Sequence, residues 1–118
     1  MAGKAADMDI QTQYRGAVLV VRPAGPLAGP DADTFRTALQ GFVRENLGRV
    51  VIDASALPYV DSKGLESLAD VAEELALSGK GLKLCAANDT VRQVLELTGL
   101  TPQFEQFEDT NSAVRSFL

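Results

Sequence analysis

Residues 50–53, Val-Val-Ile-Asp, and residues 58–65, Pro-Tyr-Val-Asp-Ser-Lys-Gly-Leu, decide the fold of this chain. The first run is short, apolar and mostly β-branched, which predicts a buried strand. The second run passes from a proline through an acid and a serine to an apolar residue, which is typical of a helix start. The sequence therefore predicts that a buried strand delivers Ser62 onto the first turn of a helix.

Strands and helices alternate along the rest of the chain, and glycine and proline separate them. The predicted elements are a hairpin within residues 10–21, a helix over about 31–45, the helix after Ser62 ending at Gly79, a strand over 82–86, a helix from Asn88 or Asp89 to Gly99, a strand between Phe104 and Phe107, and a last helix capped by Asp109. This order predicts an α/β fold with a mixed, mostly parallel sheet of about five strands and about four helices, packed mainly on one side.

The composition is that of one ordinary globular domain. Of the 118 residues, 46% are hydrophobic and 23% are charged. Residues 1–7 are small and polar and predict a disordered tail, so the folded domain is expected to span residues 8–118.

The net charge of −5 at pH 7 disfavours nucleic acid and anionic membrane surfaces as partners and favours a partner with a basic face. The sequence contains no run of about 18 apolar residues, so no membrane insertion is expected. The first eight residues lack the apolar core of a signal peptide, which predicts a cytoplasmic protein.

The inventory of reactive side chains is small. The chain has no histidine and one cysteine, Cys85, which excludes an internal disulfide, the usual zinc ligand sets and Ser-His-Asp catalysis. We therefore expect no metal, no cofactor and no enzymatic activity.

The sequence leaves two interpretations of Ser62 open. Serine and aspartate both favour the helix N-cap, so in one interpretation Ser62 or Asp61 caps the helix and has no further role. Alternatively, Ser62 is a group that is acted upon, because the field at a helix N-terminus suits a phosphate. Gly64 lies inside the first turn, where glycine weakens a helix by about 1 kcal/mol relative to alanine, which suggests that another backbone comes close.

Charged residues surround Ser62 in the sequence. Lys63 provides the only local positive charge, while Glu66 and Asp70 lie four residues apart on the predicted exposed face. Because these two like charges repel each other mildly, they would gain from a basic partner.

Asp53, at the end of a central strand, raises a different possibility, the phosphoacceptor of a receiver domain. That chemistry needs Mg²⁺ held by an acidic pair after the first strand, whereas Asp7 and Asp9 lie at or before its start. Asp53 is otherwise expected to hydrogen-bond the following loop together with Ser55.

Several of these runs together resemble a known family. They are Val50 to Asp53, Tyr59 to Leu65 with its Asp-Ser-x-Gly-Leu motif, Gly81 to Cys85, and Val91 to Leu97 followed by Gly99-Leu100. The pattern closely resembles the STAS domain, specifically the free-standing anti-sigma-factor antagonists, and it covers the chain from about Met8 onward.

The resemblance implies a regulatory binding protein. Its partner would be an anti-sigma factor that is also a serine kinase of the GHKL type, and a phosphatase would reverse the modification. By this resemblance Ser62 is the phosphoacceptor, Asp61, Lys63, Gly64 and Glu66 form its contact rim, and phosphorylation switches binding off. The alternative within the same family is a STAS subunit of a transport or stress-signalling complex in which Ser62 is never phosphorylated.

Overall fold

The computed structural model of the chain describes residues 8–118, so the predicted tail, residues 1–7, lies outside the described residues. Five strands and four α-helices follow one another along the chain: β1 (Asp9–Arg15), β2 (Val18–Ala24), α1 (Pro30–Glu45), β3 (Val50–Asp53), α2 (Ser62–Ala76), β4 (Leu82–Cys85), α3 (Asp89–Leu97), β5 (Phe104–Phe107) and α4 (Thr110–Arg115). A 3₁₀ turn, Thr101–Gln103, precedes β5.

The strands form one sheet in the order β1-β2-β3-β4-β5. β1 pairs with β2 in antiparallel fashion, and the pairs β2–β3, β3–β4 and β4–β5 are parallel. The prediction of a mixed, mostly parallel sheet is therefore confirmed. Because three parallel strands run into connecting helices, the starts of those helices lie together at the carboxyl ends of the strands.

The main core lies between one face of the sheet and helices α1, α2 and α3. Alternate strand residues such as Val50, Ile52 and Leu84 pack there against helix residues such as Phe35 and Leu68. The expected helical spacing of apolar residues on α1 and α2 produces this packing.

Helix α4 covers the other face of the sheet. Ala113 packs there against Val18, Val51 and Cys85 in a smaller cluster. Cys85 is buried, and burial raises the pKa of its thiol, in keeping with a structural role in the core. The prediction that the helices lie mainly on one side is confirmed, with α4 on the opposite side.

The second strand and the fourth strand end differently from the prediction. β2 continues to Ala24 and includes Pro23, which pairs with Ile10 of β1. The pairing of β2 with β3 ends earlier, at Val21. β4 ends at Cys85 because Ala86 has a φ of 58°, which turns the chain out of the strand.

Candidate functional site

The connection from β3 to α2 is fixed at its start by Asp53. One carboxylate oxygen of Asp53 accepts the backbone N–H of Ser55 at 3.0 Å, as the sequence predicted. The other lies 3.8 Å from Nε of Arg22, and that nitrogen also donates to the Ser55 hydroxyl. Asp53 therefore holds the loop in place.

Asp61 is the N-cap of α2. Its Oδ1 accepts the N–H of Gly64 at 2.9 Å, and its Oδ2 accepts the N–H of Gly29 at 3.0 Å. The bond from Gly64, more than that from Gly29, lowers the pKa of Asp61 below its ordinary 3.8 despite partial desolvation. Asp61 is thus an ionised side chain that joins the start of α2 to the loop before α1.

Ser62 is the first residue of α2 and is exposed. Because Asp61 performs the capping, the Ser62 hydroxyl is left with no hydrogen-bond partner among residues 8–118. Of the two interpretations that the sequence left open, the cap role belongs to Asp61. The exposed hydroxyl lies at the positive end of a 15-residue helix.

Gly64 is buried against a second stretch of backbone. A Cβ at this position would lie 2.1 Å from the carbonyl oxygen of Leu27. The same oxygen accepts the N–H of Asp61 at 3.2 Å, and Leu27 donates its own N–H to the carbonyl of Tyr59 at 3.1 Å. The expectation that another backbone comes close to Gly64 is confirmed, and that backbone is the loop between β2 and α1.

The charged residues predicted around Ser62 have different surroundings. Lys63 and Glu66 are exposed. Asp70, in contrast, accepts a 2.9 Å bond from Arg36 of α1. The charge of Asp70 is therefore already compensated within the molecule, and the charge of Glu66 is the more accessible one.

Sequence reasoning did not single out three residues that shape the site. Leu27 and Gly29 brace the start of α2, as described above. Tyr59, two residues before the cap, has 47% of its surface exposed. A tyrosine exposed to this extent three residues before Ser62 suits contact with another protein, and its place between Pro58 and the motif was the available signal.

Asn88, the N-cap of α3, supports the same loop from its other side. Its Nδ2 donates to the carbonyls of Leu57 and Pro58 at 3.3 and 3.2 Å, while its Oδ1 caps α3 through the N–H of Val91. The loop that carries Ser62 is therefore held between the starts of α1 and α3.

Residues 8–118 contain neither a metal-binding cluster nor a membrane-spanning helix. Histidine, cysteine and acidic side chains nowhere gather there in groups of three or more that could hold a metal ion. In the same part of the chain, no helix has both the length and the apolar character that crossing a membrane requires.

The family model of the STAS domain matches residues 9–113. The chain belongs to the STAS family. Because the match spans the sheet and the Ser62 loop, the family and fold predicted from the sequence are confirmed, and the receiver-domain interpretation of Asp53 is not needed.

Several proteins similar to this STAS domain are named as anti-sigma factor antagonists. BtrV of Bordetella bronchiseptica, which carries that name, is 28% identical over 100 residues, or 85% of this chain and 86% of its own length. A structure of such an antagonist from Thermotoga maritima superimposes with a TM-score of 0.82 at 19% identity, covering 91% of this chain and 92% of that one.

A third similar protein, the Bacillus cell fate determinant SpoIIAA, has been solved in two states. Its unphosphorylated form has a TM-score of 0.71 at 20% identity, and its phosphorylated form has 0.68 at 18%. They cover 92% of this chain and 96% and 99% of theirs. Membership of this family, whose antagonists are regulators, confirms the prediction that the chain is not an enzyme.

Proposed function

We propose that this STAS domain is an anti-sigma-factor antagonist that acts in the cytoplasm. In this proposal it binds an anti-sigma factor of the GHKL serine-kinase type through the surface around Ser62, and phosphorylation of Ser62 ends that binding. A phosphatase restores the binding form. The observation that carries the proposal is the exposed hydroxyl of Ser62, which Asp61 relieves of the capping role.

The charges at the helix starts support Ser62 as the phosphoacceptor. The first turns of α1 and α3 contain acids, Asp31 and Asp33 in one and Asp89 in the other. The first turn of α2 contains none and carries Lys63. The cap Asp61 already places one carboxylate at this helix start, and because a helix N-terminus favours negative charge, the exposed first turn is also suited to a phosphate on Ser62.

The same geometry supports a switch that acts at the interface. The braced loop gives the phosphate no hydrogen bonds to break within the domain, so the fold is expected to stay unchanged. A phosphoserine carries a charge of about −1.5 to −2 at neutral pH. A partner surface that fits a neutral hydroxyl would have to desolvate that charge, and Asp61 and Glu66 would add to the repulsion.

The contact rim in this proposal consists of exposed side chains, chiefly Lys63, Glu66 and Tyr59. Asp61 and Gly64 shape the rim from inside, since Asp61 caps the helix and Gly64 is buried. Asp70 would contribute less than Glu66, because Arg36 already neutralises it.

Phosphosite mapping tests the modification directly. The protein is isolated from its native cells and every serine is quantified by mass spectrometry. We expect phosphate on Ser62 and none on Ser55, an exposed loop serine whose hydroxyl already accepts a bond from Arg22. A protein that is never phosphorylated on Ser62, in any growth phase, would instead favour the subunit of a transport or stress-signalling complex.

Charge reversal tests the rim. Glu66→Lys should weaken binding to the purified kinase and reduce its dependence on salt, because a basic partner face would meet a positive charge. Glu73→Lys makes the same change on the same helix two turns farther from Ser62 and serves as the control. Equal effects of the two variants would reduce the contribution of Glu66 to a general effect of net charge.

A further inference from the structure

Strand β1 forms an open edge of the sheet. Within residues 8–118, β1 pairs only with β2, and six of its seven residues are exposed. Its pairing with β2 runs without a bulge from Asp9 to Arg15. Exposed edge strands normally carry charged residues, proline or a bulge that blocks pairing with another chain, whereas β1 has neither proline nor a bulge and its two charged residues, Asp9 and Arg15, lie only at its ends.

Along this edge, the backbone of β1 has bonding groups that no strand within residues 8–118 pairs with. The N–H of Leu19 in β2 bonds toward β3, to the carbonyl of Arg49 at 3.0 Å. The side to which the backbone groups point alternates along a strand, so Val21 and Pro23 lie in β2 with their backbone turned to the β3 side, like Leu19. Their partners in β1 therefore do not bond to β2. Those partners, together with that of Leu19, are Ile10, Thr12 and Tyr14. Each therefore directs one N–H and one C=O to the open edge.

The sequence of β1, Asp-Ile-Gln-Thr-Gln-Tyr-Arg, is complementary to itself in the antiparallel direction. With Thr12 on a two-fold axis, Asp9 faces Arg15 of a second copy, Ile10 faces Tyr14, and Gln11 faces Gln13. This register pairs opposite charges, an aliphatic with an aromatic side chain, and an amide with an amide, which are all favourable cross-strand pairs. This register also pairs every free backbone group of β1.

We propose that two copies of this chain associate through antiparallel pairing of β1 with β1, forming one continuous ten-stranded sheet. Thr12 meets Thr12 across the axis in a hydrogen-bonded pair, flanked by two Ile10–Tyr14 pairs. The two ends carry an Asp9–Arg15 pair each. Such an interface is isologous and closed, so association stops at the dimer.

The dimer leaves the Ser62 surface free and is independent of the proposed function. β2 lies between β1 and β3, and the loop that leads to Ser62 follows β3. The interface uses seven residues from each copy, fewer than the roughly 20–30 a side of standard interfaces, so the dimer should dissociate on dilution.

Sedimentation equilibrium of the full chain between about 10 μM and about 1 mM tests the association. We expect the dimer fraction to rise over this range. Thr12→Lys places two ammonium groups opposite each other across the axis and should weaken the dimer by about tenfold or more. Thr37→Lys, an exposed threonine on α1, adds the same charge away from the edge and should leave association unchanged.

A charge-swap cycle tests the register. Asp9→Lys and Arg15→Glu each place like charges opposite one another at both ends of the interface and should weaken the dimer by about three- to tenfold. The double variant restores opposite charges and should recover the affinity of the original chain. A chain that stays monomeric at about 1 mM, or a double variant no tighter than the singles, overturns the proposal.

Amide hydrogen exchange of the unaltered chain provides a readout that needs no variant. In concentrated samples the amides of Ile10, Thr12 and Tyr14 should become protected, whereas those of Gln11 and Gln13, bonded to β2, should be protected at every concentration. If higher concentration protected amides of β5 and not these three, association would use the other edge of the sheet, and the proposal would also be overturned.

Discussion

The N-terminal ends of α2 and α3 are built with the same capping chemistry and have different surfaces. Each follows a parallel strand, and each is capped by a side-chain oxygen that accepts the third residue's N–H: Asp61 from Gly64 at 2.9 Å and Asn88 from Val91 at 2.8 Å. A cap of this kind stabilises a helix and does not by itself make a site.

Two differences separate the helix starts. The third residue of α2 is a glycine because the carbonyl of Leu27 occupies the space of a Cβ, whereas Val91 of α3 packs its side chain into the core. The first residue of α2 is a serine whose hydroxyl has no hydrogen-bond partner in the described part of the chain, whereas Asp89 of α3 pairs with Arg92. A second backbone and a free hydroxyl therefore distinguish the candidate site from an ordinary helix start.

The largest expected effect comes from the close approach at Gly64. Gly64→Ala should lower the free energy of unfolding by about 1–3 kcal/mol, because the Leu27 loop or the helix start must move. Gly41→Ala is the matched control: apart from its chain neighbours and the backbone of α1 itself, no atom of residues 8–118 lies within 4 Å of a Cβ at this position, so the change should raise stability by about 0.5–1 kcal/mol. Urea unfolding measures the stability of both variants. A Gly64→Ala variant as stable as the original chain would show that the close backbone approach does not distinguish α2 from α3.

The two caps should also differ in their response to acid. The folded-state pKa of Asp61 is lowered below 3.8, so its carboxylate stabilises the folded chain above pH 3.8, and this stabilisation disappears as the pH falls through the folded pKa. Asn88 has no such titration.

Asp61→Asn isolates this contribution. The variant should be less stable than the original chain at pH 7, because its amide cannot accept the N–H of Gly29 in the same way. The gap should close below pH 3.8, where the original chain loses the carboxylate. Thermal unfolding at several pH values measures it, and a gap independent of pH would mean that the charge of Asp61 is unimportant.

The smallest expected effect comes from exchanging the first residues of the two helices. Ser62→Asp adds an acid to the first turn of α2 and should change the free energy of unfolding by no more than about 0.3–1 kcal/mol. The field of the helix stabilises the added carboxylate, and repulsion from Asp61 reduces that gain. Asp89→Ser should lower stability by a similar amount. A strongly destabilised Ser62→Asp would contradict the view that this turn tolerates a phosphate.

The sequence predicted most of what depends on local pattern. β3, the start of α2 and the close approach at Gly64 all followed from residues within a single stretch. The sequence could not show that Leu27 is the approaching backbone, or that Arg36 neutralises Asp70, because these contacts join residues 37 and 34 positions apart. It also left the cap ambiguous, since neighbouring aspartate and serine are equally suited to that role.

The central claim is that the free hydroxyl of Ser62 is the switch, and one titration tests it most directly. Calorimetry compares the affinity of the purified GHKL kinase for the unmodified chain and for the chain stoichiometrically phosphorylated on Ser62, with thermal unfolding of both forms as the control for the fold. We expect phosphorylation to weaken binding by at least about tenfold while the unfolding temperature changes little. Equal affinities for the two forms would contradict the account and leave Ser62 as an ordinary residue of the first helical turn.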